Sequence, residues 1–169
     1  MIVGRGDIAT ALQEAPGCFQ NAPERLFFAS GVSNSLETRE SEYQREKDLL
    51  ATMPRDIPIV YFSSLAIFYS KTRYTQHKLE MEALIKEFPA YCIIRLGNIT
   101  FGRNPHTLIN HFRTQYQSGK PLEIQNVYRY IVDKDEFLHW VSLIPDFNCE
   151  INAPGRRMKV KDVVKEYVL

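Results

Sequence analysis

Short runs of apolar residues alternate along this chain with longer segments in which apolar positions recur every three or four residues. Continuous apolar runs are typical of strands that are buried on both faces of a parallel sheet. The predicted strands cover residues 1–3, 25–29, 58–62, 91–96, 127–132 and 149–152. The predicted helices cover residues 8–12, 36–53, 72–88, 105–118, 133–144 and 160–169. The pattern therefore predicts an α/β fold with a mainly parallel sheet flanked by helices.

Two of the predicted helices differ in how they should contact the rest of the chain. The helix 36–53 has few apolar positions and contains the charge run 39–47, so we expect much of it to be solvated or to face a partner. The helix 72–88 begins at Thr72, which is a suitable N-cap. The residues of this helix expected to face inward are Leu79, Ala83 and Leu84.

The composition narrows the class of protein. A chain of 169 residues with 44% hydrophobic residues can bury one good core. Its 21 basic and 20 acidic residues nearly cancel, which excludes a broad positive field for nucleic acid or an anionic membrane. The cysteines are far apart and odd in number, fit no zinc spacing and suggest buried thiols in a reducing compartment. No apolar run is long enough to span a bilayer and no signal-peptide pattern opens the chain, so we expect a cytoplasmic protein.

The most informative local pattern is a tyrosine and a lysine four residues apart, Tyr74 and Lys78, shortly after Ser63 and Ser64. On a helix this spacing places both side chains on one face. An ammonium group near a phenol favours the phenolate and pulls its pKa down from about 10 toward the working range. A serine hydroxyl from a neighbouring strand can then polarise a substrate oxygen. This chemistry suits the oxidation of an alcohol or the reduction of a ketone, and its simpler alternative is a solvated helix face.

Small and polar residues follow several of the predicted strands. In parallel sheets, ligands bind beyond the carboxyl ends of the strands. The residues that fall at such ends are Gly4 and Gly6, Ser30 and Gly31, Ser63 and Ser64, and Gly97 and Asn98. Their convergence strengthens the case for a site that includes Tyr74 and Lys78.

Five short segments, in their order along the chain, resemble motifs of one enzyme family. They are the Ser-bearing strand end at 62–68, the Tyr-x-x-x-Lys helix with a following glutamate at 74–82, the Arg-Leu-x-Asn-x-x-x-Gly segment at 95–102, the Arg-Asp-hydrophobic-x-Val-x-Asp segment at 129–135 and the Asn-x-Gly-x-Gly turn at 151–155. Tyr130 stands where the fourth segment usually has aspartate. The chain thus resembles an extended short-chain dehydrogenase/reductase of the NAD-dependent epimerase/dehydratase family, whose members are usually much longer.

The resemblance implies a Rossmann-like core over residues 1–102 and a small substrate-binding region over 103–169, interleaved in one compact domain. It also implies NAD- or NADP-dependent reduction, epimerisation or dehydration of a sugar or nucleotide-sugar. The implied catalytic residues are Ser64, Tyr74 and Lys78. The implied cofactor-binding residues are Gly4, Arg5, Gly6, Asp7, Ile8, Ala29, Ser30, Gly31, Ser63, Tyr74 and Lys78. The implied substrate-binding residues are Ser64, Asn98 and Arg129.

The resemblance carries an expectation about partners as well. In relatives, the helices that correspond to 36–53 and 72–88 pair with those of a second subunit as a four-helix bundle, so a homodimer is a hypothesis for this chain. No nucleic-acid or membrane partner is expected. The histidines lack metal-ligand spacing, so they read as surface or packing residues and no metal site is predicted. They are His77, His106, His111 and His139.

The chain departs from the family pattern near its N-terminus. The Gly4-x-Gly6-x-x-Ala9 turn is present, and its backbone N–H groups could cradle a pyrophosphate. Relatives then have further strands and a helix that grip the adenosine ribose and form the wall for adenine. Here only the loop 13–24 occupies that interval. We therefore expect a sheet trimmed on the adenine side, with the nicotinamide side intact. The connection from Ser64 to Tyr74 is also shorter than in most relatives.

Simpler alternatives stay open for most of the single residues. Gly4 and Gly6 can form a tight turn without binding phosphate, and Arg5 can be merely solvated. Arg129 and Asn98 can make structural hydrogen bonds. The aromatic residues more simply explained by core and sheet packing are Tyr128, Tyr130 and Trp140.

Three functional hypotheses follow. The leading one is a compact enzyme of this family acting on a sugar or nucleotide-sugar. The second is a degenerate homologue that binds a nucleotide-sugar, or serves as a partner subunit, without redox turnover, and the trimmed adenine side favours it. The third, cofactor-independent acid/base chemistry at Tyr74, ranks lowest because nothing identifies a carbon to be deprotonated.

Overall fold

The computed structural model describes residues 1–19 and 24–169, with the side chains of residues 18 and 19 outside the description. Its helices are α1 (Asp7–Glu14), α2 (Glu40–Ala51), α3 (Arg73–Ile85), α4 (Leu108–Gln117), α5 (Lys134–Ser142) and α6 (Val160–Tyr167). Its strands are β1 (Ile2–Val3), β2 (Leu26–Phe28), β3 (Ile59–Ser64), β4 (Tyr91–Leu96), β5 (Asn98–Ile99), β6 (Tyr128–Val132), β7 (Cys149–Ala153) and β8 (Arg156–Lys159). Short 3-10 helices cover Pro16–Phe19 and Leu65–Phe68.

The main sheet has five strands in the order β1-β2-β3-β4-β7, and every pair in it is parallel. The predicted α/β fold with a mainly parallel sheet is therefore confirmed. Within the described residues, β1 pairs only with β2 and forms an edge of this sheet. The carboxyl ends of β1, β2, β3 and β4 lie together, as the grouping of small residues at those ends requires.

Helices cover both faces of the main sheet. On one face, α2 and α3 pack their apolar side chains on alternate residues of β2, β3 and β4. On the other face, α1 and α5 pack on the intervening residues of the same strands. Burial on both faces explains why these strands are apolar at nearly every position. Within the described residues, no helix has the length and apolar character needed to cross a bilayer.

A smaller sheet lies beside the carboxyl end of β4. Its order is β5-β6-β8, with β5 and β6 parallel and β6 and β8 antiparallel. Helices α4 and α6 pack on it, with Ile109 of α4 and Val163 of α6 in one buried cluster with Ile131 of β6. The chain enters this sheet directly from β4 and returns to the main sheet through β7, so the two sheets are interleaved in sequence.

The buried face of α3 differs from the prediction. Leu79 is 50% exposed, Ala83 is exposed and Leu84 is only half-buried, whereas Met81 and Ile85 are fully buried. The helix is rotated because it also turns Lys78 and other polar side chains toward the sheet, where they find buried partners. Apolar spacing alone could not reveal this. Thr72 does cap α3, as predicted, in a capping box with Thr75.

The predictions that Tyr128 packs in the core and that the cysteines are buried were only partly correct. Tyr128, expected in the core, is 45% exposed, with the Arg157 guanidinium 3.8 Å from its ring centre. Of the cysteines expected to be buried, Cys92 is buried and Cys149 is half-buried, and both are free thiols. The Cys18 side chain lies outside the described residues.

Candidate functional site

Helix α3 places Tyr74 and Lys78 one turn apart, next to the carboxyl end of β3. The helix starts where it does because the Thr72 side chain accepts a hydrogen bond from the Thr75 N–H, and the Thr75 hydroxyl accepts one from the Thr72 N–H. Tyr74 is half-buried, and the Lys78 Nζ lies 5.7 Å from the centre of its ring. The sequence prediction that these two residues share a helix face agrees with this geometry.

The Lys78 ammonium lies in a buried polar cluster. It donates to the Tyr61 hydroxyl at 3.0 Å and lies 3.6 Å from a carboxylate oxygen of Glu46. Glu46 also binds the side chain of His77 at 2.8 Å. We call Glu46, Tyr61, His77 and Lys78 the Glu46 cluster. Its members are almost wholly shielded from solvent, so their charges must be balanced within the protein. Within this cluster, His77 Nδ1 is buried and has no hydrogen-bond partner among the described residues.

Ser63 and Ser64 point to different surroundings because successive side chains of a strand alternate between the sheet faces. The Ser63 hydroxyl faces α3 and donates to Glu82 at 2.6 Å. Ser64 accepts a hydrogen bond from the Ala66 N–H at 3.2 Å and caps the 3-10 helix that follows β3. Within the described residues, no hydrogen bond joins Ser64 to Tyr74 or Lys78. The structure thus brings Tyr74 and Lys78 together on one helix face, and the catalytic roles of Ser64, Tyr74 and Lys78 stay predictions.

The turn between β1 and α1 is tightly packed on one side and open on the other. Gly4 has φ +135°, and a Cβ there would lie 2.3 Å from the Ala29 carbonyl oxygen. A Cβ at Gly6, in contrast, would meet no atom within 4 Å. The described residues supply no acceptor for the N–H groups of Asp7 and Ile8 in the first turn of α1. Space and free N–H groups at a helix N-terminus favour an anion there, and Arg5 is exposed nearby in sequence.

Asp7 ties this turn to the loop that follows β5. Its two carboxylate oxygens accept hydrogen bonds from the N–H groups of Arg103 at 2.9 Å and Asn104 at 3.1 Å. The Asn104 side chain in turn donates to the Ser33 hydroxyl at 2.8 Å. The loop therefore bridges the carboxyl ends of β1 and β2. These hydrogen bonds also hold the Asp7 carboxylate at the N-terminus of α1, close to where a phosphate group would bind.

The loop after β2 passes directly over the Glu46 cluster. A Cβ at Gly31 would lie 2.8 Å from the Lys78 Nζ and 2.9 Å from a Glu46 oxygen, so only glycine fits without displacing them. The Ser30 carbonyl accepts a hydrogen bond from Arg45. Beside this loop lies a polar cleft of about 480 Å³, lined by residues 31–34, 36–39, Glu42, Arg45 and His106. Gly31 thus lies between this cleft and the Lys78 side chain, and Ala29 and Ser30 precede it in the same loop.

The predicted substrate residues lie where the two sheets meet. Asn98 donates to the Tyr130 carbonyl at 3.1 Å, and Arg129 donates to the Tyr128 carbonyl at 3.0 Å. Burial raises the pKa of Tyr69, and the positive charge of Arg129 opposes that rise. Asn98 therefore has a structural hydrogen bond, and Arg129 is half-buried.

A second buried carboxylate holds α3 to the sheet. Glu82 accepts hydrogen bonds from two nitrogens of Arg95, at 2.9 and 2.6 Å. The hydrogen bonds that Arg95 donates to Glu82 raise the pKa of Arg95, and a contact with Glu150 adds to the effect. Since Ser63 also donates to Glu82, we assign Ser63, expected to bind cofactor, a structural hydrogen bond here.

The sequence prediction missed three members of the Glu46 cluster. Glu46 lies within a charge run that was interpreted as solvated, yet it is fully buried. A signal did exist, because Tyr43, Glu46 and Leu50 share the spacing of the buried stripe of α2. His77 seemed to lack a partner, but it binds Glu46. Tyr61 appeared only as part of an apolar strand.

The fold is shared with enzymes that bind NAD. The Bordetella bronchiseptica enzyme WbmG, in complex with NAD and UDP, matches with a TM-score of 0.67 and 18% identity over 96% of this chain and 62% of its own. A dTDP-glucose 4,6-dehydratase from Bacillus anthracis, in complex with NAD, matches with a TM-score of 0.63 and 14% identity over 97% and 62%. The ADP-L-glycero-D-manno-heptose-6-epimerase of Helicobacter pylori matches with a TM-score of 0.63 and 13% identity over 83% and 56%.

These matches confirm the Rossmann-like fold that the resemblance implied. Identities of 13–18% establish the fold alone. The chain spans about three-fifths of the length of the first of these solved structures. No family model matches the sequence, and no curated protein matches it.

Proposed function

We propose that the chain is a shortened member of the NAD-dependent epimerase/dehydratase family, and that it acts on a sugar or nucleotide-sugar with NAD or NADP as hydride carrier. The observation that carries this proposal is the pairing of Tyr74 with Lys78 at the carboxyl end of β3, inside a fold shared with NAD-bound sugar-nucleotide enzymes. In such a fold the ligands bind beyond the carboxyl ends of the strands. A tyrosine beside those ends is therefore well placed to exchange a proton with the substrate.

The residues present fit one end of a dinucleotide. The free N–H groups of Asp7 and Ile8 and the open space at Gly6 suit the pyrophosphate. Gly31, Tyr74 and Lys78 would hold the nicotinamide ribose end, and the bound cofactor would accept or supply the hydride. Because β1 is an edge strand within the described residues, they offer no strand beyond it against which adenine could pack. We therefore propose that binding depends mainly on the nicotinamide and phosphate groups.

In this proposal each side chain has a distinct role. Tyr74 gives a proton to the substrate oxygen or takes one from it. Lys78 favours the phenolate form of Tyr74 and binds the ribose. Ser64 polarises the substrate oxygen, while Arg129 binds the phosphate groups of a nucleotide-sugar through its planar guanidinium.

The test is turnover by the purified chain. The protein would be incubated with NAD or NADP and with UDP-, GDP- and dTDP-linked sugars, and products would be separated by chromatography. Tyr74→Phe should lower the rate on any accepted substrate by about 10²–10⁴-fold, since the proton transfer is lost. Tyr116→Phe, which removes an exposed hydroxyl on α4, is the matched control and should retain the wild-type rate. Equal rates in the wild type and Tyr74→Phe would refute the acid/base assignment.

A second candidate is nucleotide-sugar binding without redox turnover. It is favoured by the Glu46 carboxylate beside Lys78, which balances the charge that should activate Tyr74. The Asp7 carboxylate at the N-terminus of α1 also weakens the attraction of that end for phosphate. This candidate predicts a raised melting temperature with nucleotide-sugars, no product with any cofactor, and an unchanged response in Tyr74→Phe.

The homodimer stays a prediction. The adjoining helices α2 and α3 are linked on their solvent side by the pairs Arg73–Glu40 and Lys47–Glu80, both at 2.7 Å. A bundle with a second subunit would have to cover or re-pair these charges. Light scattering at micromolar concentration should give the mass of two chains if the dimer forms, and a mass of one chain would exclude it.

A further inference from the structure

Glu46 is bound from four directions by groups that lie on three other elements. One carboxylate oxygen accepts a hydrogen bond from the Val32 N–H at 2.7 Å and is hydrogen-bonded to the His77 Nε2 at 2.8 Å. The other accepts the Tyr61 hydroxyl at 2.9 Å and lies 3.6 Å from the Lys78 Nζ. Glu46 therefore joins α2 to the loop after β2, to β3 and to α3. Its side chain is fully buried, so water does not compete for these contacts.

The charge balance of this cluster centres on one pair. Burial by itself would raise the pKa of Glu46, but the Lys78 charge and the hydrogen bonds from His77 and Val32 outweigh it and lower that pKa to about 2. Glu46 is thus ionised, and its negative charge faces the Lys78 ammonium. Glu80 lies 3.9 Å from the other ring nitrogen of His77 but is partly exposed, so it contributes less to the balance.

We propose that Glu46 is a positioning residue that holds the Lys78 ammonium beneath Gly31 and beside Tyr74, and that cancels most of its charge. This inference rests on the proposed function, because it concerns the lysine that would activate Tyr74 and bind the cofactor. The proton affinity of Tyr74 is then set by the Glu46–Lys78 pair and not by Lys78 alone. The same pair reduces the attraction of the site for an anionic cofactor.

The local packing is built around this arrangement. Gly31 is the residue that lets the loop close over both charged groups, since any side chain would collide with Lys78 and Glu46. The Tyr61 hydroxyl donates a hydrogen bond to Glu46 and accepts one from Lys78. It therefore links these two groups, whose charged atoms are 3.6 Å apart. The carboxylate of Glu46, the phenol of Tyr61 and the absence of a side chain at Gly31 together fix the position of the Lys78 ammonium.

The first readout is the chemical reactivity of single lysines. The protein would be acetylated with a limiting amount of an N-hydroxysuccinimide ester, and labelling at Lys78 and Lys47 would be measured by peptide mass spectrometry. Glu46→Gln should raise labelling of Lys78 by about tenfold or more, since loss of the carboxylate releases the ammonium. Glu46→Asp keeps the charge and should leave Lys78 largely protected. An equal rise in Glu46→Asp and Glu46→Gln would show that loosened packing is the cause, and would overturn the proposal.

A matched control comes from the surface of the same two helices. Lys47 and Glu80 form a partly exposed pair between α2 and α3 at 2.7 Å. Glu80→Gln should raise labelling of Lys47 slightly and leave Lys78 protected. If Glu80→Gln exposed Lys78 as much as Glu46→Gln does, the specific role of Glu46 would be wrong.

The second readout is affinity for NADH, measured by calorimetry. Glu46→Gln should tighten NADH binding several-fold because the Lys78 charge is no longer balanced, whereas Glu46→Asp should match the wild type. If neither the wild type nor any variant binds NADH or NADPH, the proposed function fails while the labelling still decides the role of Glu46. If Glu46→Gln does not fold, the double variant Glu46→Gln/Lys78→Met, which removes both charges, should fold. Failure of both variants, with Lys78→Met alone folding normally, would overturn the pairing.

Discussion

Two buried carboxylates decide how the polar face of α3 meets the sheet. Glu46 binds Lys78 near the strand ends, and Glu82 binds Arg95 one helical turn further on. In both cases a charged side chain occupies a position that apolar spacing would assign to the core. The Tyr74–Lys78 step could be predicted from the sequence because the spacing of two residues on one helix suffices. The partners of Lys78 could not, because they come from α2 and β3, which only the fold brings together.

Loss of the Glu82 carboxylate should destabilise the protein strongly. Glu82→Gln leaves the buried Arg95 guanidinium with only the partly exposed Glu150 as a counter-charge, which we expect to lower the free energy of unfolding by about 1.5–3 kcal/mol. Urea denaturation of both proteins measures this difference. Glu80→Gln, which removes a carboxylate from the solvent side of the same helix, should cost less than about 1 kcal/mol. Equal losses in the two variants would contradict the structural role of Glu82.

The stability contributed by Glu46 should depend on pH. Its pKa is about 2 in the folded protein, against about 4.3 in an unfolded chain. Because the folded-state pKa is the lower one, the stabilisation is complete above about pH 4.5 and is lost as the pH falls toward 2. The difference in free energy of unfolding between the wild type and Glu46→Gln should therefore shrink from pH 6 to pH 3. A difference that stays constant over this range would show that ionised Glu46 does not stabilise the fold.

At the scale of elements, the ends of helices and strands place the site. Thr72 caps α3 two residues before Tyr74, and Gly4 lets the β1–α1 turn pass close to the end of β2. The strands β2, β3 and β4 were predictable because burial on both faces makes them continuously apolar, whereas β5 and β8, which have no such apolar run, were not predicted. The buried face of α3 was not, since Lys78 and Glu82 are interior residues whose pairing depends on other elements.

Removal of the α3 cap should weaken the first turn of the helix. Thr72→Ala deletes the side-chain acceptor for the Thr75 N–H, at a cost of about 1 kcal/mol. For a chain of this size that corresponds to a fall in Tm of about 2–4 °C. Thr72→Ser keeps the hydroxyl and should melt near the wild-type temperature. Identical melting of Thr72→Ala and the wild type would mean that the capping box does not stabilise α3.

The two glycines of the β1–α1 turn should respond differently to substitution. Gly4→Ala forces a Cβ against the Ala29 carbonyl at a positive φ and should cost at least about 2 kcal/mol. Gly6→Ala adds a methyl group where no atom lies within 4 Å, so the fold should tolerate it. Urea midpoints measure both effects. Equal stability of the two variants would contradict the close contact at Gly4.

At the scale of the whole molecule, the feature that matters most for the proposed cofactor is the position of β1. It forms the edge of a five-stranded sheet within the described residues, and the structures that match this fold are longer. The short interval after α1 predicts a sheet trimmed on the adenine side, because so few residues cannot supply further strands and a helix; the edge position of β1 agrees with that, and the state of the adenine pocket stays a prediction. The resemblance implied that the two regions are interleaved, but the residue pattern alone could not show that β7 pairs with β4, because that neighbour is decided by the fold.

The most direct test of the central claim compares NADH with reduced nicotinamide mononucleotide, which lacks the adenosine half. If the chain keeps the nicotinamide side and lacks the adenine side, calorimetry should show binding of both with dissociation constants within about tenfold, a difference of at most about 1.4 kcal/mol. Lys78→Met should weaken both equally. Binding of ADP-ribose as tight as that of NADH, or no heat from either nicotinamide ligand at millimolar concentration, would contradict the account.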